Sequence, residues 1–231
     1  MRDLRPNSRD EPKIMKQSSL KINEIFYSIQ GEASQSGMPC VFVRLSGCPL
    51  RCRWCDTEYA FHEGERLGFE QILEKIKSYG CRLVEITGGE PLAQPACLPF
   101  MELLEKEGFD LMLETSGAYC VKNVPSKVKI IMDLKAPGSG EQNKNRYENL
   151  QYLCPEKDEL KIVVSDRGDF EYACDLWSRP EMKKFPYVWL SPSFGELSLD
   201  RLTTWILDSK KRFRLQTQLH KHIWHPQKRG V

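Results

Sequence analysis

Short apolar runs alternate with amphipathic stretches about six times along this chain. That alternation restricts its fold more than any other feature. Residues 83–86, 111–113, 130–132, 160–164 and 188–190 are brief runs rich in β-forming side chains. Phe69, Ile72, Leu73 and Ile76 recur at helical spacing, with Gly80 just beyond them as a stop. Phe100, Leu103 and Leu104 share one helical face closed by Gly108, and 147–153, 170–177 and 199–207 are read as further helices. Residues 22–29, 40–45 and 213–219 read as strands. Continuous apolar strands between amphipathic helices predict a parallel sheet with helices outside. The 231 residues fall short of the ~250 of a complete eight-unit barrel. The expected fold is therefore α/β, a partial (β/α)6 open barrel of parallel strands. One domain is expected over 20–231, preceded by a mobile polar leader over 1–19.

Composition removes several classes. Hydrophobic residues make up 40% of the chain, enough for a sizeable core and too many for a disordered or collagenous one. Lys and Arg number 34 against 32 Asp and Glu, a balance that argues against a nucleic-acid binder. No run approaches ~18 apolar residues, so no membrane span is expected. The first residues lack the apolar stretch of a secretion signal, and the chain is read as cytoplasmic. Nine cysteines is an odd number, and without a secretion signal a disulfide framework is not expected. Cys40, Cys81, Cys97, Cys120, Cys154 and Cys174 are scattered and read as small buried hydrophobes.

The unusual polar residues follow the strands. A cysteine loop follows 40–45, Thr87-Gly88-Gly89-Glu90 follows the next run, and Glu114-Thr115-Ser116 the one after. Asp133 with Lys135, then Ser191-Pro192, stand in the same relation to later runs. In parallel β/α folds the C-terminal strand ends share one rim, so these segments converge in space.

Cys48-x3-Cys52-x2-Cys55 supplies three thiolates from one loop. Soft sulfur ligands select zinc or an iron–sulfur cluster. Structural zinc needs four closed ligands and would call on Cys40, His62 or another distant residue for the fourth. Three thiolates on a four-iron cluster leave one iron open to a chelating small molecule.

This cysteine spacing, with Trp54 before the last cysteine and Thr87-Gly88-Gly89-Glu90 downstream, resembles the radical S-adenosylmethionine (SAM) superfamily. Ser28-Ile29-Gln30-Gly31-Glu32, Phe42-Val43-Arg44-Leu45-Ser46-Gly47-Cys48 and Cys55-Asp56-Thr57 narrow the resemblance to the 7-carboxy-7-deazaguanine synthase family. Ile86 to Pro91 and Glu114 to Gly117 agree with it. The resemblance runs from about Lys21 to the C-terminus and implies the open barrel of radical SAM enzymes. It also implies a 4Fe-4S cluster, SAM and Mg2+ as cofactors. The implied reaction is the ring contraction of 6-carboxy-5,6,7,8-tetrahydropterin to 7-carboxy-7-deazaguanine with loss of ammonia. A radical formed from SAM takes the C6 hydrogen of the pterin and later returns it.

The resemblance assigns Cys48, Cys52 and Cys55 to the cluster and Thr57 to magnesium. Trp54, Gly88, Gly89, Glu90, Ser116, Asp133, Lys135, Ser191 and Pro192 fall to SAM. Gly88 and Gly89 are expected to let the backbone approach its methionyl part, and Glu90 to fix the local turn. Ile29, Gln30, Gly31, Arg44, Thr87 and His220 fall to the substrate. Gln30 can read a pterin edge, and the Arg44 fork suits a carboxylate. Glu114 doubles as a candidate structural acceptor. The C-terminal segment is expected to cap the substrate. His220, His222 and His225 otherwise read as an exposed tail rather than a metal site. Two departures stand out: Asp133-Leu134 replaces the family's usual Ser-Pro, and Ala33 its usual glycine. Flavodoxin or ferredoxin is the implied electron donor, and a homodimer the implied assembly. Another radical SAM enzyme, such as a glycyl-radical activase, and a zinc-binding interaction module are the competing readings.

Overall fold

The computed structural model describes residues 18–231. Among these, nine strands form one sheet with β3 and β9 at its two edges, in the order β3-β1-β2-β4-β5-β6-β7-β8-β9. The strands are β1 (Ser19–Ile29), β2 (Pro39–Leu45), β3 (Glu65–Gly68), β4 (Leu83–Gly88), β5 (Asp110–Thr115), β6 (Lys129–Asp133), β7 (Glu159–Val164), β8 (Val188–Pro192) and β9 (Phe213–Leu215). From β2 onward every neighbouring pair is parallel, while β1 runs antiparallel to both β2 and β3. The open, mostly parallel barrel expected from the alternation is the observed fold.

Four α-helices cover the outside: α1 (Phe69–Ser78), α2 (Cys97–Lys106), α3 (Arg167–Trp177) and α4 (Leu199–Ser209). Val41, Val43, Leu45, Val84 and Ile86 meet Ile72, Ile76, Phe100 and Leu104 beneath α1 and α2. Ile162, Val164 and Leu190 meet Phe170, Leu176 and Leu202 beneath α3 and α4. Truncating a fully buried anchor such as Phe100 to alanine costs about 3–5 kcal/mol.

The regular strand–helix alternation does not hold throughout. The β5–β6 connection contains no helix, and the β6–β7 connection holds only 3-10 turns, including Tyr147–Tyr152, where a full helix is expected. Asn149 explains part of this. Its buried side chain donates to Gly117 O and Tyr119 O and accepts from Val121 N, offering the backbone an alternative to a helix. The last strand ends at Leu215 rather than 219, because Gln216 and Gln218 turn their side chains onto Glu32. The leader boundary also moves. Ser19 already pairs with Gly68, and Leu20 is fully buried, while residues 1–17 of the leader lie outside the described residues.

Strand periodicity places alternate residues on the inner face. Its floor is apolar at one end, with Phe26 stacked on Phe42 at 4.9 Å. Toward the C-terminal strand ends it becomes charged.

Candidate functional site

The cysteine loop leaves β2 through Ser46 and Gly47, which bond to Lys21 O and Ala60 O. Leu50 anchors it in the core at 1% exposure. Arg51 donates to Cys48 O and Leu50 O and lies 4.2 Å from the Phe61 ring centroid. Arg53 N reaches Ser139 O at 3.0 Å, and its guanidinium makes two bonds to Glu196. Trp54 is half-buried beneath that guanidinium. All three cysteines are half-buried and unpaired. Burial pushes the Cys48 thiol up and the Cys52 thiol up to about 11, with Lys135 opposing both shifts.

Among the described residues no three His, Cys, Asp or Glu side chains converge on one ion position. A single zinc ion requires such convergence, whereas a four-iron cluster spreads its cysteines over separate irons. Cys40 sits at the far end of β2, about 17 Å from the loop at ~3.3 Å per residue, and cannot be a fourth ligand. Three unpaired, half-buried thiols from one loop are the donor set a three-cysteine cluster needs, and Cys40 is out of reach for completing a zinc site.

Glu90 is completely buried. Its carboxylate accepts from Thr115 Oγ1, from Ser116 N and Oγ, and from Leu92 N. It therefore clamps the β4 loop to the end of β5. Glu90 and the Ser116 hydroxyl are engaged with each other, and Glu90 fixes the turn at this rim.

Gly88 and Gly89 also meet a packing demand. A Cβ on Gly88 would lie 2.2 Å from Leu45 O, and one on Gly89 2.2 Å from Gly47 O. Gly88 also has φ +135°, which side chains rarely tolerate. These residues are glycine so that the loop can press against the backbone of the cysteine loop. Gly89 N and Glu90 N complete the seam by donating to Leu45 O and Gly47 O.

Asp133 and Lys135 form an ion pair of 2.9 Å, both largely buried, on the inner side near Cys52. Burial disfavours the Lys135 charge, but Asp133 and Cys52 hold it firmly protonated. Leu134 between them is fully buried in the core. The departure from Ser-Pro thus leaves two inward polar residues. Asp133 Oδ1 is buried with no hydrogen-bond partner, an acceptor suited to the hydroxyl or amine groups of SAM. Ser191 is 3% exposed on β8 at the level of Val163, with Pro192 beside Val164.

The inner face between these loops carries Gln30, Glu32, Arg44, Glu85, Thr87, Glu114 and Lys161. Lys161 Nζ bonds Glu32 Oε2 at 2.7 Å and also Glu114 Oε1. Burial opposes both charges, yet each partner stabilises the other: Lys161 is held protonated and Glu32 stays below its usual range. Thr87 Oγ1 stands 3.4 Å from Glu114 Oε2. Arg44 pairs with Glu24 at 2.8 Å through Nε, and Tyr59 donates to the same carboxylate at 3.0 Å.

The C-terminal segment crosses this face. Leu219 N donates to Gly31 O, and the short helix α5 (His220–Ile223) follows. The His220 ring occupies the space a side chain at Gly31 would need, since a Cβ there falls 2.5 Å from its Nδ1. Gln218 bridges Glu32 and Asp56, and Lys221 Nζ binds Asp56 Oδ2 at 2.8 Å. The protein packed around Asp56 would raise its carboxyl, even though the side chain keeps 47% exposure, but Lys221, Gln218 and Arg44 bring it down to about 2. Thr57 Oγ1 lies 3.8 Å from Cys55 Sγ.

Most expected site residues thus gather on one rim. Ile29 is the exception: it shares the face of β1 occupied by Tyr27, opposite the buried Phe26 and Ser28, and the pleat turns its side chain from the inner face. Sequence reasoning missed Glu32, Glu85, Lys161, Asp56, Gln216, Gln218 and Lys221. Two left a signal: Glu85 and Lys161 interrupt otherwise apolar strand runs, where a charge is tolerated only with partners.

The Radical SAM superfamily model matches residues 42–136, from β2 to just past Lys135. A 7-carboxy-7-deazaguanine synthase from Koribacter versatilis is 41% identical over 227 residues, covering 92% of this chain and 100% of that protein. One from Chlorobaculum tepidum is 39% identical, covering 93% and 99%. The crystal structure of QueE from Escherichia coli superposes with a TM-score of 0.74 at 27% identity, covering 93% of this chain and all of that one. No described helix is long and apolar enough to cross a membrane. The extent and identity of these matches, with the three-cysteine loop and the rim built around it, place the chain in the 7-carboxy-7-deazaguanine synthase family of radical SAM enzymes.

Proposed function

We propose that the chain converts 6-carboxy-5,6,7,8-tetrahydropterin to 7-carboxy-7-deazaguanine, releasing ammonia. The observation that carries this reading is the polar inner face, enclosed by the cysteine loop, the Gly88-Gly89-Glu90 loop and the C-terminal segment. Cys48, Cys52 and Cys55 would hold a 4Fe-4S cluster, and Asp133, Lys135 and Ser191 flank the space for SAM. Bound cluster and SAM together supply the radical that removes one hydrogen from the substrate.

The remaining residues bind and orient. A flat pterin edge presents donors and acceptors in one plane, which the Glu114 carboxylate, Thr87 and Gln30 can match. Arg44 offers the cation for the substrate carboxylate. Thr57 offers a hydroxyl at the edge of the cluster loop, a hard oxygen donor of the kind Mg2+ takes. His220 and Lys221 bring the C-terminal segment over the pocket and limit solvent entry. A flavodoxin or ferredoxin would supply electrons, and the working form is a cytoplasmic homodimer.

The test is anaerobic turnover of the carboxytetrahydropterin by cluster-loaded protein with SAM, Mg2+ and a reductant. The deazaguanine product is expected. Full cluster loading and SAM binding without that product would assign the chain to another reaction. Thr57→Ala should raise the magnesium concentration needed for half-maximal rate; an unchanged requirement removes Thr57 as a ligand.

A further inference from the structure

Glu85 stands in the middle of β4 between Phe42 and Met112 of the flanking strands, and only 2% of it is exposed. A carboxyl group in such a place has lost nearly all its hydration. Its hydrogen-bond partner is Gln30, whose Nε2 donates to Glu85 Oε2. The other end of the same amide, Oε1, accepts from Glu32 N at 3.1 Å. The two contacts fix the amide in one orientation. A flipped amide would set its NH2 against the backbone N–H of Glu32, and only the present orientation gives the carbonyl oxygen of Glu85 an N–H to accept.

The surrounding charges bear on the form Glu85 takes. Glu114 from β5, Glu32 from the β1–β2 loop, Lys161 from β7 and Cys40 from β2 all face it. Beyond them lies the Lys129–Glu159 ion pair at 3.1 Å. Lys161 is already shared between Glu32 and Glu114. A third carboxylate would add a buried negative charge with no cation left to match it. Burial, reinforced by Glu114 and Glu32, raises the Glu85 carboxyl well above its usual range.

We propose that Glu85 is a positioning residue that acts through Gln30, fixing which end of the amide is left to meet the substrate. The proposal rests on the functional reading above. In this role Glu85 is an undissociated acid whose carbonyl oxygen accepts from Gln30. The amide keeps its second N–H and second oxygen lone pair for a pterin edge. A neutral acceptor of the same shape should therefore serve, and an apolar side chain should not.

Turnover by the anaerobic holoenzyme tests this with Glu85→Gln, Glu85→Leu, Gln30→Ala and the double variant Gln30→Ala/Glu85→Leu. Glu85→Leu should raise KM about tenfold, roughly 1.4 kcal/mol, with little change in kcat. Glu85→Gln should bring KM back to within about threefold of the unmodified enzyme, or roughly 0.6 kcal/mol. The double variant should be no worse than Gln30→Ala alone. An unchanged KM in Glu85→Leu, a Glu85→Gln as impaired as Glu85→Leu, or additive losses in the double variant would each overturn the proposal. A second measurement needs neither turnover nor the leucine variant. In resting holoenzyme labelled with carboxyl-13C glutamate, the resonance lost in Glu85→Gln should keep its protonated shift well above the pH at which the surface glutamates lose theirs. Titration together with the surface glutamates near about 4.3 would overturn the neutral-acid role. Because this signal is read without substrate, a chain that proves to catalyse a different reaction is distinguished from a failed proposal about Glu85.

Discussion

Lys221 Nζ lies 2.8 Å from Asp56 Oδ2 across 165 positions of sequence, and Asp56 is the immediate neighbour of Cys55. The contact fastens the C-terminal segment to the loop that carries the cysteines. The Lys221 side chain is 7% exposed, but that of Asp56 is 47% exposed, so solvent screens the pair and its worth is about 1 kcal/mol. Lys221→Ala should make opening of the segment around His220 about fivefold easier, seen as faster amide exchange there. Iron content should be unchanged. Exchange identical to the unmodified protein would show that the pair holds nothing in place.

Gly88→Ala tests the seam between the two loops. The added methyl meets the backbone of Leu45 at a φ of +135°, so overpacking and strain combine to about 3 kcal/mol. For a domain of this size that is roughly a 6–12 °C fall in Tm. Iron incorporation should drop as well, because the cysteine loop is displaced. A variant with normal Tm and full iron content would remove the packing explanation for this glycine.

Glu90→Ala should show a related defect from the opposite side. It leaves Thr115 and Ser116 without their shared acceptor in a fully buried setting, at a cost of about 2–4 kcal/mol. The end of β5 loosens, so SAM binding should weaken even at temperatures where the variant stays folded. Calorimetric titration with SAM measures this; undiminished affinity would separate the Glu90 clamp from the cofactor site.

The raised Glu85 carboxyl has a signed consequence for stability. An unfolded glutamate ionises near about 4.3, while Glu85 in the folded protein keeps its proton to higher pH. Above that pH the folded state binds more protons than the unfolded one, so the contribution of Glu85 falls as pH rises. Glu85→Gln has no such proton to keep. Its stability relative to the unmodified protein should therefore improve steadily from pH ~4.5 upward, measured by urea unfolding at several pH values. A flat difference would show that Glu85 ionises normally.

Much of this architecture was legible in the residues. Val41, Val43, Val84 and Ile86 read as buried parallel strands because their helix-side positions are apolar, and the spacing of Cys48, Cys52 and Cys55 is local and so survives in sequence. The connections after β5 and β6 were less legible. Asn149 decides the geometry there through contacts with Gly117, Tyr119 and Val121, which no local pattern reveals. The charge network was hidden for the same reason. Glu85 and Lys161 were visible as charges inside strands, but their partners Gln30, Glu32 and Glu114 come from other elements. Gly88 and Gly89 were recognised as necessary, yet the surface that requires them is the backbone of Leu45 and Gly47.

Cys48, Cys52 and Cys55 are expected to hold a cluster that leaves one iron for SAM. Electron paramagnetic resonance of the anaerobically reduced, reconstituted protein, recorded with and without SAM, tests it most directly. A 4Fe-4S signal that shifts on adding SAM, and that disappears with the iron in a variant carrying Cys48→Ala, Cys52→Ala and Cys55→Ala, is the predicted result. A signal indifferent to SAM, or a cluster retained by that triple variant, would contradict the assignment of the three cysteines.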